Sequence, residues 1–239
     1  MNRSAFRRVA LALVFAGVSS YSPPVAAAFQ GAPASQAAPA AAVDRWEADM
    51  LKFEAQDTAA PPPKNGVVFI GSSSIGRWDL AEAFPSLGAS AINRGFGGSF
   101  MADAVRYVDR IVVPYQPRTV VLYEGDNDLT TLTAEQIGQQ FGQFVDKVHT
   151  ALPAARIIVI AIKPSVRRWE FVDKMRAANA LIKKQCEGKP FLTYVDVETP
   201  MLGADGKPRP ELYVEDNLHM SAEGYKIWNA LLRPLVTAQ

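Results

Sequence analysis

Serine, asparagine, aspartate and histidine occur in this chain at spacings that suit acyl transfer. Gly71-Ser72-Ser73-Ser74 offers three consecutive hydroxyls. Each is a candidate nucleophile and equally a candidate turn or helix-capping group. Gly97 and Gly98 offer backbone N–H groups that can approach a substrate closely, because no Cβ stands in the way. Asp126-Asn127-Asp128 adds a neutral side-chain donor in Asn127, and backbone plus amide donors are what a developing oxyanion needs. Of the two histidines, His149 falls at the edge of a helix's apolar face and reads as a half-buried helix residue. His219 follows Asp216 by three positions. A turn there lets the carboxylate accept from Nδ1–H and leaves Nε2 free to take a proton.

The elements that must position these groups alternate between strand and helix. Val67–Ile70 is a continuous apolar run, the pattern of a strand buried on both faces of a parallel sheet, and Thr119–Tyr123 and residues 156–162 read as further strands. Residues 89–93 and 192–196 read as two weaker strands. Between them lie helical patterns: Trp46, Met50, Leu51 and Phe53; a short piece over 78–84; Val105, Val108 and Ile111; a long helix opened by a Thr133/Gln136 capping box with Ile137, Phe141, Phe144, Val145, Val148 and Leu152 inward; Val172, Met175, Ile182 and Cys186; and a last helix capped by Ser221 with Tyr225, Trp228 and Leu232 inward. Short connections imply right-handed crossovers and a three-layer α/β/α, doubly wound parallel sheet of about five strands. In such a sheet the loops after consecutive strands share one edge, where ligands bind.

With these stretches in place, the chain resembles the SGNH, or GDSL-type, hydrolase superfamily of esterases and acylhydrolases. Gly71-Ser72-Ser73-Ser74, Asn93-Arg94-Gly95-Phe96-Gly97-Gly98-Ser99, Gly125-Asp126-Asn127-Asp128 and Asp216 to His219 match the family's four blocks in order, over residues 66 to about 232. The resemblance implies a flavodoxin-like sheet and Ser73 as nucleophile. It further implies a Ser73-His219-Asp216 triad, an oxyanion hole from Ser73, Gly98 and Asn127, and no metal or cofactor. Ser72 stands where the family usually has an acid, so hydrogen bonding behind the nucleophile must differ. Phe96, Phe100, Trp78, Trp169 and Tyr213 are candidate walls of a substrate pocket. No long apolar cap interrupts the strands, so short acyl esters of glycans or small molecules are the expected substrates.

Other readings are narrower. A dinucleotide fingerprint starting at Gly95 fails at Phe100, and a G-x-S-x-G elbow fails at Ile75. A divalent metal held by Asp126, Asp128, Asp216 and His219 would make a metal-dependent phosphoesterase, although alternate acids in one loop are more often solvated or structural. An exported envelope protein binding a saccharide or partner at the same edge is the non-catalytic alternative. The chain has 239 residues, 49% of them hydrophobic, and a formal charge of +1 without blocks of like charge, so nucleic acid is not indicated as a partner. Cys186 stands alone, which excludes an intrachain disulfide and a cysteine metal site. Arg3, Arg7 and Arg8 before the apolar stretch 9–18, then Ala26-Ala27-Ala28, have the layout of a secretory signal peptide over residues 1–28. The apolar stretch is too short for a membrane span. Residues 29–42 read as a disordered Ala/Pro-rich spacer and 43–239 as the catalytic domain, in a periplasmic or secreted protein.

Overall fold

The computed structural model describes residues 44–237. The signal peptide and spacer expected before residue 43 lie outside the described residues. Five parallel strands, β1 (Val67–Gly71), β2 (Ala91–Gly95), β3 (Thr119–Tyr123), β4 (Arg156–Ile160) and β5 (Leu192–Val195), form one sheet in the order β2-β1-β3-β4-β5. The helices are α1 (Glu47–Ala59), α2 (Ser73–Gly76), α3 (Leu80–Ala83), α4 (Met101–Ile111), α5 (Ala134–Ala151), α6 (Val172–Cys186), α7 (Glu198–Met201) and α8 (Ala222–Thr237). This is the doubly wound α/β fold expected from the alternation.

The apolar runs split by residue parity. Val68, Ile70, Val120, Leu122, Ile157 and Val159 enter one core with residues of α1, α4, α5 and α6. Val67, Phe69, Val121, Tyr123, Ile158 and Ile160 enter the other, with Ile75, Trp78, Phe84 and Trp228. A period of two on a sheet covered by helices on both faces requires this division.

Some details differ from expectation. The second strand begins at Ala91, because Gly88–Ser90 forms a turn of 3₁₀ helix; it lies at the sheet's edge, and its residues alternate between buried and half-buried. The fourth stops at Ile160, and Ile162 instead exchanges both backbone bonds with the Asn179 side chain. Leu51, expected inward, is 54% exposed, whereas Trp46, Met50 and Phe53 are buried. The capping box forms as expected, with Thr133 N–H donating to Gln136 Oε1 and Gln136 N–H to Thr133 Oγ1. Ser221 Oγ accepts from Gly224 N–H at the start of α8. Among the described residues no helix is long and apolar enough to cross a membrane.

Candidate active site

The first strand ends at Gly71, whose φ is +150°, and a Cβ there would fall 2.0 Å from the Tyr123 carbonyl oxygen. Only glycine lets β1 turn so close to β3. Of the three serines that follow, Ser72 and Ser74 are buried and Ser73 is half-buried. Ser72 occupies the N-cap position of α2 without a side-chain capping bond, and its carbonyl accepts from the N–H groups of Ile75 and Gly76. The Ser74 carbonyl accepts from the Tyr225 hydroxyl. Ser73 Oγ lies 2.9 Å from His219 Nε2.

His219 sits in a loop bent back on itself. Asp216 Oδ1 accepts from the backbone N–H of Leu218 and of His219, both at 2.9 Å, and Asp216 Oδ2 lies 2.5 Å from His219 Nδ1. Asn217 takes a left-handed φ of 59° to close the turn, and its carbonyl accepts from Arg167 N–H. Desolvation alone would raise the Asp216 pKa, but hydrogen bonds from His219 and the two backbone N–H groups hold it well below the usual carboxylate range. The carboxylate therefore stays ionised against the ring, an arrangement that can orient an imidazole and stabilise its protonated form.

The three strand-end loops are tied to one another. Ser72 N–H donates to the Tyr123 carbonyl and Phe96 N–H to the Gly71 carbonyl. Asn127 Nδ2 donates to the Ser99 carbonyl at 2.8 Å, which joins the third loop to the second one residue beyond Gly98. A Cβ on Gly97 would lie 3.7 Å from that of Ser73. Gly98 has φ +82°, and a Cβ there would stand 3.3 Å from Arg45 Nη2 and 3.4 Å from Trp46 Cη2. Glycine donors, the Asn127 amide and the Ser73 hydroxyl thus share one rim, as an oxyanion-binding arrangement requires.

Behind this rim, further polar side chains are committed to contacts within the chain. Asn93 Nδ2 donates to the carbonyls of Ile75 and Trp78, and its Oδ1 accepts from Gly95 N–H, fixing the segment that follows Ser73. Glu124 Oε1 accepts from Ser99 Oγ at 2.5 Å, and complete burial raises the Glu124 pKa well above the carboxylate range. Asp126 takes Lys163 Nζ at 2.8 Å and Arg168 Nη1 at 2.6 Å. Asp128 accepts from Met101 N–H, and burial pushes its pKa up to about 6. Asp126 and Asp128 are therefore engaged by side chains and backbone of this chain. Among the described residues no three His, Cys, Asp or Glu side chains gather as a metal site would require.

The aromatic pocket candidates divide. Trp78, Phe96 and Tyr213 belong to the core, and of the three Trp78 also touches a small cavity of about 180 Å³ beside Arg77, Tyr225, Lys226 and Asn229. Trp78 packs against Phe69, Phe84 and Trp228 and donates its indole N–H to Asn229; Phe96 meets Trp46 and Tyr107 edge-on; the Tyr213 hydroxyl donates to the Pro164 carbonyl. Phe100 and Trp169 keep part of their surface. Trp169 lines a cavity of about 380 Å³ with Val166, Lys207, Pro208 and Arg209. His149 is half-buried and stacks on Phe191 at 3.9 Å, remote in the fold from these loops. Cys186 is buried in the core, which raises its thiol to about 11.

Comparison with known proteins agrees with this geometry. The profile of the GDSL-like lipase/acylhydrolase family matches residues 66–227. The platelet-activating factor acetylhydrolase IB subunit alpha1 of Rattus norvegicus is 27% identical over 201 residues, covering 81% of this chain and 84% of the relative. The fold is similar to that of a GDSL-like lipase from Bacteroides thetaiotaomicron, with a TM-score of 0.68 at 19% identity over 79% of this chain and 97% of the other. It is also similar to that of an acetylxylan esterase from Geobacillus stearothermophilus, with a TM-score of 0.59 at 16% identity over 74% and 96%. A serine within hydrogen-bonding reach of a carboxylate-backed histidine, on the strand-end rim of a five-stranded parallel sheet matched along most of its length, places the chain in the GDSL-like lipase/acylhydrolase family, a branch of the SGNH hydrolases.

Proposed function

We propose that the protein is a metal-free serine esterase that cleaves short-chain carboxylic esters through an acyl-enzyme. The observation that carries this reading is the hydrogen-bonded series from Ser73 Oγ through His219 to Asp216. Ser73 Oγ attacks the ester carbonyl carbon as His219 Nε2 takes its proton. Asp216 holds the ring and balances the imidazolium charge. The tetrahedral oxyanion is received by the N–H groups of Ser73 and Gly98 and by the Asn127 amide. Collapse breaks the bond to the alcohol, which leaves with the proton from His219. Water, deprotonated by the same nitrogen, then attacks the acyl carbon; the acid departs and Ser73 recovers its proton.

Short acyl groups are supported by the names of two relatives, an acetylhydrolase and an acetylxylan esterase. The alcohol portion, a sugar ring or a compact headgroup, is assigned to the cavity beside Trp169. That cavity begins one residue from Arg168, whose guanidinium touches Asn127. The basic, apolar, small-residue pattern of residues 1–28 supports export to the periplasm or medium, and sequencing the N-terminus of secreted material tests it.

The deciding experiment is reaction with a fluorophosphonate, followed by peptide mapping, beside hydrolysis of p-nitrophenyl esters from acetate to decanoate and of acetylated xylo-oligosaccharides. Adduct on Ser73 and rates highest for acetate are expected. Absence of an adduct would leave a saccharide-binding protein, and a peak at long chains would overturn the short-acyl assignment.

A further inference from the structure

Resting on the esterase reading, we propose that Arg168 is a positioning residue for the oxyanion hole: held by Asp126, it locks the Asn127 amide with its nitrogen toward the oxyanion. An asparagine amide is nearly symmetric in shape but opposite in charge at its two ends. Turned the wrong way, Asn127 would present an oxygen to a developing negative charge. The two neighbours of this amide forbid that orientation. Arg168 Nη2, which can only donate, lies 2.9 Å from Asn127 Oδ1. The Ser99 carbonyl, which can only accept, lies 2.8 Å from Nδ2. One Nδ2 hydrogen is thereby spent on Ser99 and the second is left for the oxyanion.

Arg168 is itself fixed. Its other prong, Nη1, donates to Asp126 Oδ1 at 2.6 Å, while Asp126 Oδ2 receives Lys163 Nζ at 2.8 Å and the Tyr123 hydroxyl at 3.1 Å. Asp126 and Lys163 are buried, and the Arg168 side chain is 15% exposed. A planar fork spanning a carboxylate and a neighbouring amide is geometry a lysine ammonium cannot reproduce. A cation on Oδ1 also draws electron density from the amide, which strengthens the remaining N–H as a donor.

The test is a double-mutant cycle on p-nitrophenyl acetate. Arg168→Met should lower kcat about tenfold with KM within about twofold, the scale for losing one charge-assisted bond acting in the transition state. In the Asn127→Ala background the same substitution should change kcat by less than about twofold, because the group it orients is gone. Arg168→Lys should fall between wild type and Arg168→Met. Equal losses in both backgrounds, or a loss confined to KM, would overturn the proposal. Asp126 keeps Lys163 and Tyr123 in Arg168→Met, so the variant is expected to fold. The side-chain ¹⁵N resonance of Asn127 supplies a readout independent of turnover: it should move in Arg168→Met, and an unmoved resonance would overturn the proposal. A wild-type protein without esterase activity would bring down only the proposed function, with the resonance still deciding the geometry.

Discussion

Ser73 Oγ and His219 Nε2 are 2.9 Å apart although 146 positions separate the two residues in the chain. Such convergence arises because Ser73 opens α2 just past the first strand and His219 lies in the loop before the last helix, both at the same edge of the parallel sheet. Ser73→Ala should therefore lower kcat by about four to six orders of magnitude and abolish fluorophosphonate labelling. The melting temperature should stay within a few degrees of wild type, because a half-buried hydroxyl contributes little to the core. Thermal melts and single-turnover assays on the two proteins check this.

Asn127→Ala should reduce kcat by about 10²–10³ with little change in KM, as removal of one oxyanion donor does elsewhere. Steady-state kinetics on a single acetyl ester distinguish this from a binding defect, which would raise KM instead.

Two carboxylates should give opposite pH signatures. Asp216 is held below the usual range, so the stability it contributes is present above about pH 4, the unfolded value, and is lost as pH falls toward its folded value. The melting-temperature gap between wild type and Asp216→Asn should narrow as pH falls below about 4. Asp128 is raised by burial from 3.8 to about 6, so the native state binds the extra proton and stability falls as pH rises through that window. Asp128→Asn should therefore gain on wild type between pH 4 and pH 6, provided its amide oxygen keeps the Met101 N–H. Parallel melts across pH 3.5–7.5 check both.

Gly71→Ala should cost about 3 kcal/mol or more, because the new Cβ meets the Tyr123 carbonyl and the backbone sits at φ +150°. Urea denaturation measures it. The same change at Gly206, where nothing lies within 4 Å, provides a control in which backbone strain acts without a clash.

The parts of the fold most legible in sequence were those with one strong local cause. Val67–Gly71 and Thr119–Tyr123 are buried throughout because both faces are covered, and a nearly continuous apolar run leaves little choice of boundary. Ala91–Gly95 is half polar because it is the edge strand, so its start could be placed only by the turn at Gly88, which composition does not reveal. Among the aromatics near the rim, Trp78, Phe96 and Tyr213 differ from Phe100 and Trp169 only in what surrounds them, and sequence carries no record of surroundings. The Asp126–Arg168 contact joins residues 42 positions apart, and the 163–168 loop shows no motif that announces it. Ser73 could be singled out from its neighbours by resemblance; the structure adds that Ser72 and Ser74 are buried.

Gly98 rests against Arg45 and Trp46, which come before the first helix and well ahead of residue 66, where the match to the family profile begins. Asp44 anchors that pair, accepting from Trp46 N–H and from the Tyr107 hydroxyl and pairing with Arg106. Anyone choosing an expression boundary by the family profile would keep sheet, serine and imidazole while discarding the buttress of the glycine loop. Trimming to residue 66 would also strip Met50 and Phe53 from the core, whereas a cut just after Trp46 takes only Trp46 from it. That protein should melt as a folded domain yet turn over slowly, a handicap created at the bench that a screen could misread as an absence of activity.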